Sequence, residues 1–185
     1  MKKIALLLMV VGFSVIGYGL WSIIGSNLKE KDSLQTAKAI VNEETSKEGL
    51  FQPEIGEVVG VLAIPKLEAE LPIIEGADPD ELEKGVGHYR GSFYPDENGQ
   101  IVLSGHRDTV FRGVGELAIG DILEVQVPYG TYQYKITHTK IVDKDDTSII
   151  TLQDSEEELI VTTCYPFSFI GDAPERYIMY GERVE

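Results

Sequence analysis

One thiol is available to this chain for covalent chemistry. Cys164 ends an apolar, β-branched run, Leu159-Ile160-Val161-Thr162-Thr163, and Tyr165-Pro166-Phe167 follows it. Pro166 has no N–H to give a ladder, so the strand must stop there. The thiol then sits where a sheet meets a loop, on a rigid mount with open access. As thiolate it is a nucleophile; the other common use of a free cysteine is as a small inert core residue. Two more residues stand at strand ends. His106 closes the run that begins at Gln100, and imidazole can both give and take a proton near neutral pH. Arg176 opens the last apolar run and offers a permanent charge with a fork of donors, suited to a carbonyl or an oxyanion. Only the stretch 165–175 separates Cys164 from Arg176. If the flanking strands pair as a hairpin, the end of one lies beside the start of the next. With ordinary values of about 8.5 for Cys and 6.5 for His, a thiolate–imidazolium pair is only about 1% of the neutral pair. Mutual attraction raises that share and burial lowers it.

Strands must carry these groups. Val58–Ile64, Leu71–Glu75, Gln100–His106, Asp121–Val127, Thr131–Val142, Glu158–Cys164 and Arg176–Val184 all read as extended segments. Pro128-Tyr129-Gly130 marks a hairpin turn, 79–84 one or two helical turns with Asp78 as cap, and Phe111–Ile119 a short helix. About eight short strands with little helix point to a small, mostly antiparallel β-barrel or sandwich. The other two histidines read as structural. His88 lies in the glycine-punctuated segment Gly85–Gly91 and is taken as structural or substrate-adjacent. His138 is placed on one strand face with Tyr132, Tyr134 and Ile136.

Composition narrows the function. The chain has 185 residues, 31 Asp+Glu against 16 Lys+Arg, and a net charge of −15. Such an acidic surface speaks against nucleic-acid binding and against docking on anionic lipid through a basic patch. One cysteine excludes an internal disulfide and a cysteine zinc cluster. Near the N-terminus, Ile4–Ile24 is an uncharged apolar run of roughly 32 Å as a helix, matching a hydrocarbon core of about 30 Å. Tyr18 and Trp21 suit an interfacial anchor. No Ala-x-Ala-like site follows, so a retained anchor is expected over a cleaved signal, with the N-terminus inside and the rest exported. Three regions result: 1–27 as cytoplasmic end and transmembrane helix, 28–54 as a linker or helical stalk, and 55–185 as the catalytic domain. In the stalk, Leu34, Ala37 and Val41 share a helical face, and Gly49 and Pro53 end the helix. The segment Asp143–Glu158 is an acidic loop. It could hold a hard cation such as calcium or magnesium, but it lacks EF-hand spacing.

Ser104-Gly105-His106-Arg107-Asp108, Thr163-Cys164-Tyr165-Pro166-Phe167 and Ala173-Pro174-x-Arg176-Tyr177 together resemble the sortases, membrane-anchored cysteine transpeptidases of Gram-positive bacteria. The resemblance covers Ile55 to Glu185. The Tyr-Pro-Phe run and the N-terminal anchor look most like class D. One departure is that the Thr-Leu-x-Thr-Cys run of many sortases reads Ile160-Val161-Thr162-Thr163-Cys164 here. The resemblance implies a closed eight-stranded β-barrel with short helices, preceded by the transmembrane helix. It implies Cys164 as nucleophile, His106 as general acid and base, and Arg176 as stabiliser of the oxyanion and substrate. Thr163 and Ser104 would lie beside the substrate, and no metal ligand or required cofactor is expected. The implied reaction cleaves an LPxT-type sorting signal after Thr through a thioacyl-enzyme and passes the protein to a cell-wall amine. The implied partners are surface proteins bearing such signals, a peptidoglycan-precursor amine and the membrane, with catalysis on the extracellular side. The alternatives are an exported thiol hydrolase of similar fold and a non-catalytic surface-binding β-domain.

Overall fold

The computed structural model describes residues 2–43, 51–169 and 171–184. Helix α1 (Lys2–Asn42) is continuous. Eight strands follow: β1 (Val58–Ile64), β2 (Ala69–Glu75), β3 (Val86–His88), β4 (Gln100–Gly105), β5 (Ile122–Val127), β6 (Gly130–Asp143), β7 (Glu158–Tyr165) and β8 (Glu175–Arg183). They close into a barrel in the order β1-β2-β3-β4-β7-β8-β6-β5. Six neighbouring pairs are antiparallel; β2–β3 and β4–β7 are parallel. The fold is thus the mostly β, closed eight-stranded barrel expected. β3 lies inside the segment expected to be a glycine-rich turn. A three-residue strand is too short to show a period of two in sequence.

Alternation puts Leu62, Ile73, Ile101, Leu103, Leu123, Val125, Tyr134, Leu159, Val161 and Met179 into the barrel. Each such side chain, fully buried, contributes roughly 1.5–3 kcal/mol. A smaller apolar cluster, Val142, Ile149, Ile160 and Ile178, covers the outer face of β7 and β8. Gly60 in β1 is required by close approach: a Cβ there would sit 2.1 Å from the carbonyl oxygen of Gln126 in β5. The barrel closes at that seam.

Several local expectations need correction. Phe111–Ile119 forms only a 3-10 turn, Val114–Glu116, reached through Gly113 at a positive φ of 92°. Asp78 does occupy the position before helix α2 (Pro79–Leu82), but its side chain makes no capping bond. Its backbone carbonyl takes the N–H groups of Glu81 and Leu82 instead. His138 does not share the buried face of Tyr132, Tyr134 and Ile136. A bulge between Ile136 and His138 turns it outward, where it stacks on Tyr180 with ring centroids 4.2 Å apart.

The stretch after Asn27 continues α1 and lies on the barrel. Ser33 and Ala37 are buried there, and Leu34, Ile40 and Val41 are half-buried on the same stripe. Lys29 pairs with Glu83 at 2.7 Å, and Lys38 pairs with Glu70. α1 ends at Asn42; Gly49 lies outside the described residues. Among the described residues no helix is long and apolar enough to cross a membrane. The expected spanning helix therefore gains no support from the fold, although Ile4–Ile24 falls within α1. The loop between β6 and β7 spends carboxylates on itself and the barrel. Asp143 and Asp146 accept the N–H groups of Asp145 and Ser148, and Glu157 accepts the Tyr134 hydroxyl at 2.6 Å.

Candidate active site

Strand register builds the site. Parallel β4 and β7 pair Gly105 with Thr163, so the next residue on each, His106 and Cys164, stand at one level on neighbouring strands. Neighbouring strands lie about 4.8 Å apart. On the other side of β7, Cys164 pairs directly with Arg176 of β8. The hairpin inferred from sequence therefore forms, and His106, Cys164 and Arg176 make a row across β4, β7 and β8. Leu159, Val161 and Thr163 face inward, so Cys164, two positions beyond Thr162, faces outward. The thiol is half-buried and free.

Two devices hold this row. The Thr163 hydroxyl donates to the carbonyl of Gly105 at 2.7 Å, locking β7 to β4 immediately before Cys164 and His106. Gly105 itself must lack a side chain, because a Cβ would fall 2.6 Å from the ring of buried Phe111. Phe111 returns an N–H to the His106 carbonyl at 3.0 Å, which folds the turn after β4 back under the ring. After Cys164, the Tyr165–Pro166 peptide is cis. Phe167 then packs over Gly115 and against Tyr177, ring centroids 5.2 Å apart, and closes that end of the barrel.

Thr163, expected beside the substrate, adjoins Cys164 in β7 but turns its side chain inward. Its side chain is only 3% exposed and its hydroxyl is committed to Gly105. Ser104 is half-buried on the outer side of β4, level with Thr162, and does not line the cavity at the thiol. That cavity, about 160 Å³, is lined by His106, Arg107 and Asp108 on one side and by Cys164 and the 171–173 stretch on the other.

The electrostatics are mixed. Arg176 donates to the carbonyls of Ala173 and Glu175 at 3.2 and 3.0 Å, both through Nη1. The rest of its fork makes no hydrogen bond among the described residues. Asp172 pairs with Lys144 at 2.9 Å rather than with Arg176. The hydrogen bond and charge of Lys144 hold the Asp172 carboxyl below its ordinary range, and Arg176 and Arg107 add to this. Glu83, bonded to Lys29, is likewise held low, first by that bond and in smaller part by the charge of His106. Among the described residues no group of three His, Cys, Asp or Glu side chains could hold a metal ion.

A larger hollow of about 900 Å³ lies toward the other end of the barrel, around His88. His88 pairs with Leu103, two residues before Gly105 on β4. Its ring is 1% exposed and fully engaged. Nδ1 is 2.6 Å from Glu75, and Nε2 lies between Ser92 Oγ at 2.9 Å and the Phe93 carbonyl at 3.0 Å. The larger hollow therefore holds a closed network, and the smaller cavity holds the reactive groups.

The Sortase domain model matches residues 62–184, which include β4, β7 and β8 with all three groups. The chain belongs to the sortase family of transpeptidases. It is 55% identical to Sortase D of Bacillus subtilis (strain 168), over 99% of this chain and 98% of that protein. Its fold superposes on a Clostridium perfringens Sortase D5 transpeptidase with a TM-score of 0.74 and 27% identity, covering 85% of this chain and 99% of that one. A second neighbour is C. perfringens sortase C with the C-terminal cell wall sorting motif, at TM-score 0.65 and 26% identity, covering 83% and 86%. This sortase is therefore a class D homologue.

Sequence reasoning gives no site role to Arg107, Asp108 or Asp172, all of which line the cavity. For the first two the signal was adjacency: they directly follow His106. Asp172 had no local signal, since only the turn between β7 and β8 brings it back to the thiol.

Proposed function

We propose that this sortase is a membrane-anchored cysteine transpeptidase. It cleaves an LPxT-type sorting signal after Thr and transfers the protein to a cell-wall amine. The observation that supports this best is the row of His106, Cys164 and Arg176 across three adjacent strands. The Cys164 thiolate attacks the threonine carbonyl. Its electron pair moves to oxygen, where the open part of the Arg176 fork can meet the developing charge. Collapse breaks the C–N bond as the His106 imidazolium gives its proton to the leaving amine. A thioester remains. An acceptor amine then gives its proton to neutral His106, attacks the thioester, and releases the thiolate with a new amide bond. No cofactor enters this sequence. Addition of calcium, magnesium or EDTA should leave the rate unchanged.

The anchor rests on the uncharged run Ile4–Ile24 and on the exposure of Leu6, Leu7, Phe13 and Trp21 along α1. The partners in this reading are exported surface proteins and a peptidoglycan-precursor amine. Catalysis takes place on the extracellular side of a single-pass protein. Presence of the full chain in the membrane fraction after an alkaline wash is the expected result; release into the soluble fraction would refute the anchor.

A fluorogenic LPxT peptide incubated with and without an amine tests the chemistry. The expected products are a thioester on Cys164 by mass spectrometry and an amine-dependent ligation product. Cleavage with no ligation at any amine concentration would instead mark a hydrolase. No cleavage, with activity elsewhere intact in Cys164→Ala, would mark a binding domain.

A further inference from the structure

Arg107 follows His106 directly and lines the cavity at the thiol. Its Nη2 donates to two backbone carbonyls of the turn after β7, Phe169 at 2.6 Å and Gly171 at 2.8 Å. Two short bonds on one nitrogen fix the plane of the guanidinium. Nη1 is then aimed by geometry rather than by chance, yet it is buried and has no acceptor among the described residues. A buried N–H of a permanently charged group left without a partner is costly. Orphans of this kind in a native fold call for an explanation. The residue that carries this orphan is one of those lining the cavity that holds Cys164 and His106.

We propose that Arg107 is a substrate-reading residue, whose Nη1 donates to a main-chain carbonyl oxygen of the bound sorting peptide. This rests on the transpeptidase reading above. The carboxylates at the cavity favour a neutral acceptor over an anionic one. Asp108 and Asp172 both line the cavity, and Lys144 keeps Asp172 ionised. A ligand carboxylate would meet two like charges there, whereas an amide oxygen gains a charge-assisted bond without that repulsion. Arg107 thereby differs from Arg176. Arg176 stands beside the thiol on β8, where charge develops; Arg107 reads the peptide chain that brings the scissile carbonyl in.

The test has two arms. Binding of an LPxT peptide is measured on Cys164→Ala, where no chemistry intervenes, with and without Arg107→Gln or Arg107→Lys. Alkylation of Cys164 by iodoacetamide, a reagent with no peptide chain, is measured on the single Arg107 variants. The expected result is a Kd raised about tenfold by Gln and about threefold by Lys, with alkylation rates within about twofold of wild type. The Lys variant carries the test if the Gln variant does not fold. An unchanged Kd would overturn the inference. A Kd and an alkylation rate that shift together would also overturn it, because Arg107 would then act only by holding the turn. If the wild-type protein neither binds nor cleaves the peptide, the substrate reading falls and takes this inference with it. If wild type cleaves it normally, only the role of Arg107 is in question.

Discussion

The barrel carries a histidine toward each end, and the two differ in how completely they are bonded. His88 has Glu75 on one nitrogen, Ser92 and the Phe93 carbonyl on the other, and Tyr94 stacked on its face with centroids 4.0 Å apart. By distances alone, Ser92, His88 and Glu75 imitate a nucleophile, a base and an orienting acid. But Ser92 Oγ also takes the Val102 N–H at 3.2 Å, and Tyr94 also donates to Glu75 at 2.7 Å. Every lone pair and proton that a reaction would need is in use. At the other end, the ring of His106 and the thiol of Cys164 make no hydrogen bond among the described residues. A finished network holds a fold together; an unfinished one, mounted on rigid strands, is available for a substrate. Matching residue types and spacing do not separate the two. Hydrogen-bond saturation does.

That contrast can be broken from either end. The largest effect belongs to the open end. Cys164→Ala or His106→Ala should lower peptide cleavage by at least about 10³-fold, and Arg176→Lys by about 10²-fold. Melting temperatures should stay within about 2 °C of wild type, read by calorimetry. A large thermal shift in these variants would mean the row is structural after all. The closed end should respond in the opposite way. His88→Ala should cost about 3 kcal/mol in urea unfolding, because it leaves the buried Glu75 carboxylate with Tyr94 as its one remaining side-chain partner among the described residues. The folded fraction should keep a kcat within about threefold. A selective loss of kcat with full stability would make His88 part of the chemistry.

A third effect is a pH dependence. Burial pushes the Glu75 carboxyl up, but the hydrogen bonds from His88 and Tyr94 and the charges of His88 and Arg90 outweigh it and leave the group below its ordinary value. A depressed folded value contributes stability that is present above the unfolded value, near about 4.3, and lost as the pH falls through the folded value. The stability gap between wild type and Glu75→Gln should therefore shrink as the pH falls from 6 to 3. A gap that widens would reverse the sign of this argument. The smallest effect is at the helix. Lys29→Ala removes an exposed pair with Glu83 and should move the melting temperature by about a degree or less, fading with added salt.

Much of the site was legible in the sequence because it lies at strand ends. Pro166 announced the end of β7, and the short 165–175 connection announced the β7–β8 hairpin, so Cys164 and Arg176 could be paired before any coordinates. The approach of His106 was not legible. It depends on the parallel β4–β7 pair, whose partners are far apart in sequence, and parallel pairing leaves no turn signal. The inward face of Thr163 is not legible either, because the sequence does not say which face of β7 meets the barrel interior. The bulge before His138 hid in the same way, since one inserted residue reverses every face that follows. His88 was read as a turn residue because three residues cannot display a strand period.

The closure of the barrel bears on how a peptide can be held. Proteins that capture extended peptides often do so by adding them as a strand to an open sheet edge, drawing affinity from main-chain ladders that ignore sequence. Here β1 pairs with β5, and β7, which carries the thiol, is paired with β4 on one side and β8 on the other, so no sheet edge is on offer at the thiol. A guest chain must be gripped by side chains and turns standing above the sheet. Strand addition to β7 is thereby excluded by its pairing, and selectivity at the site falls to the few groups around the thiol.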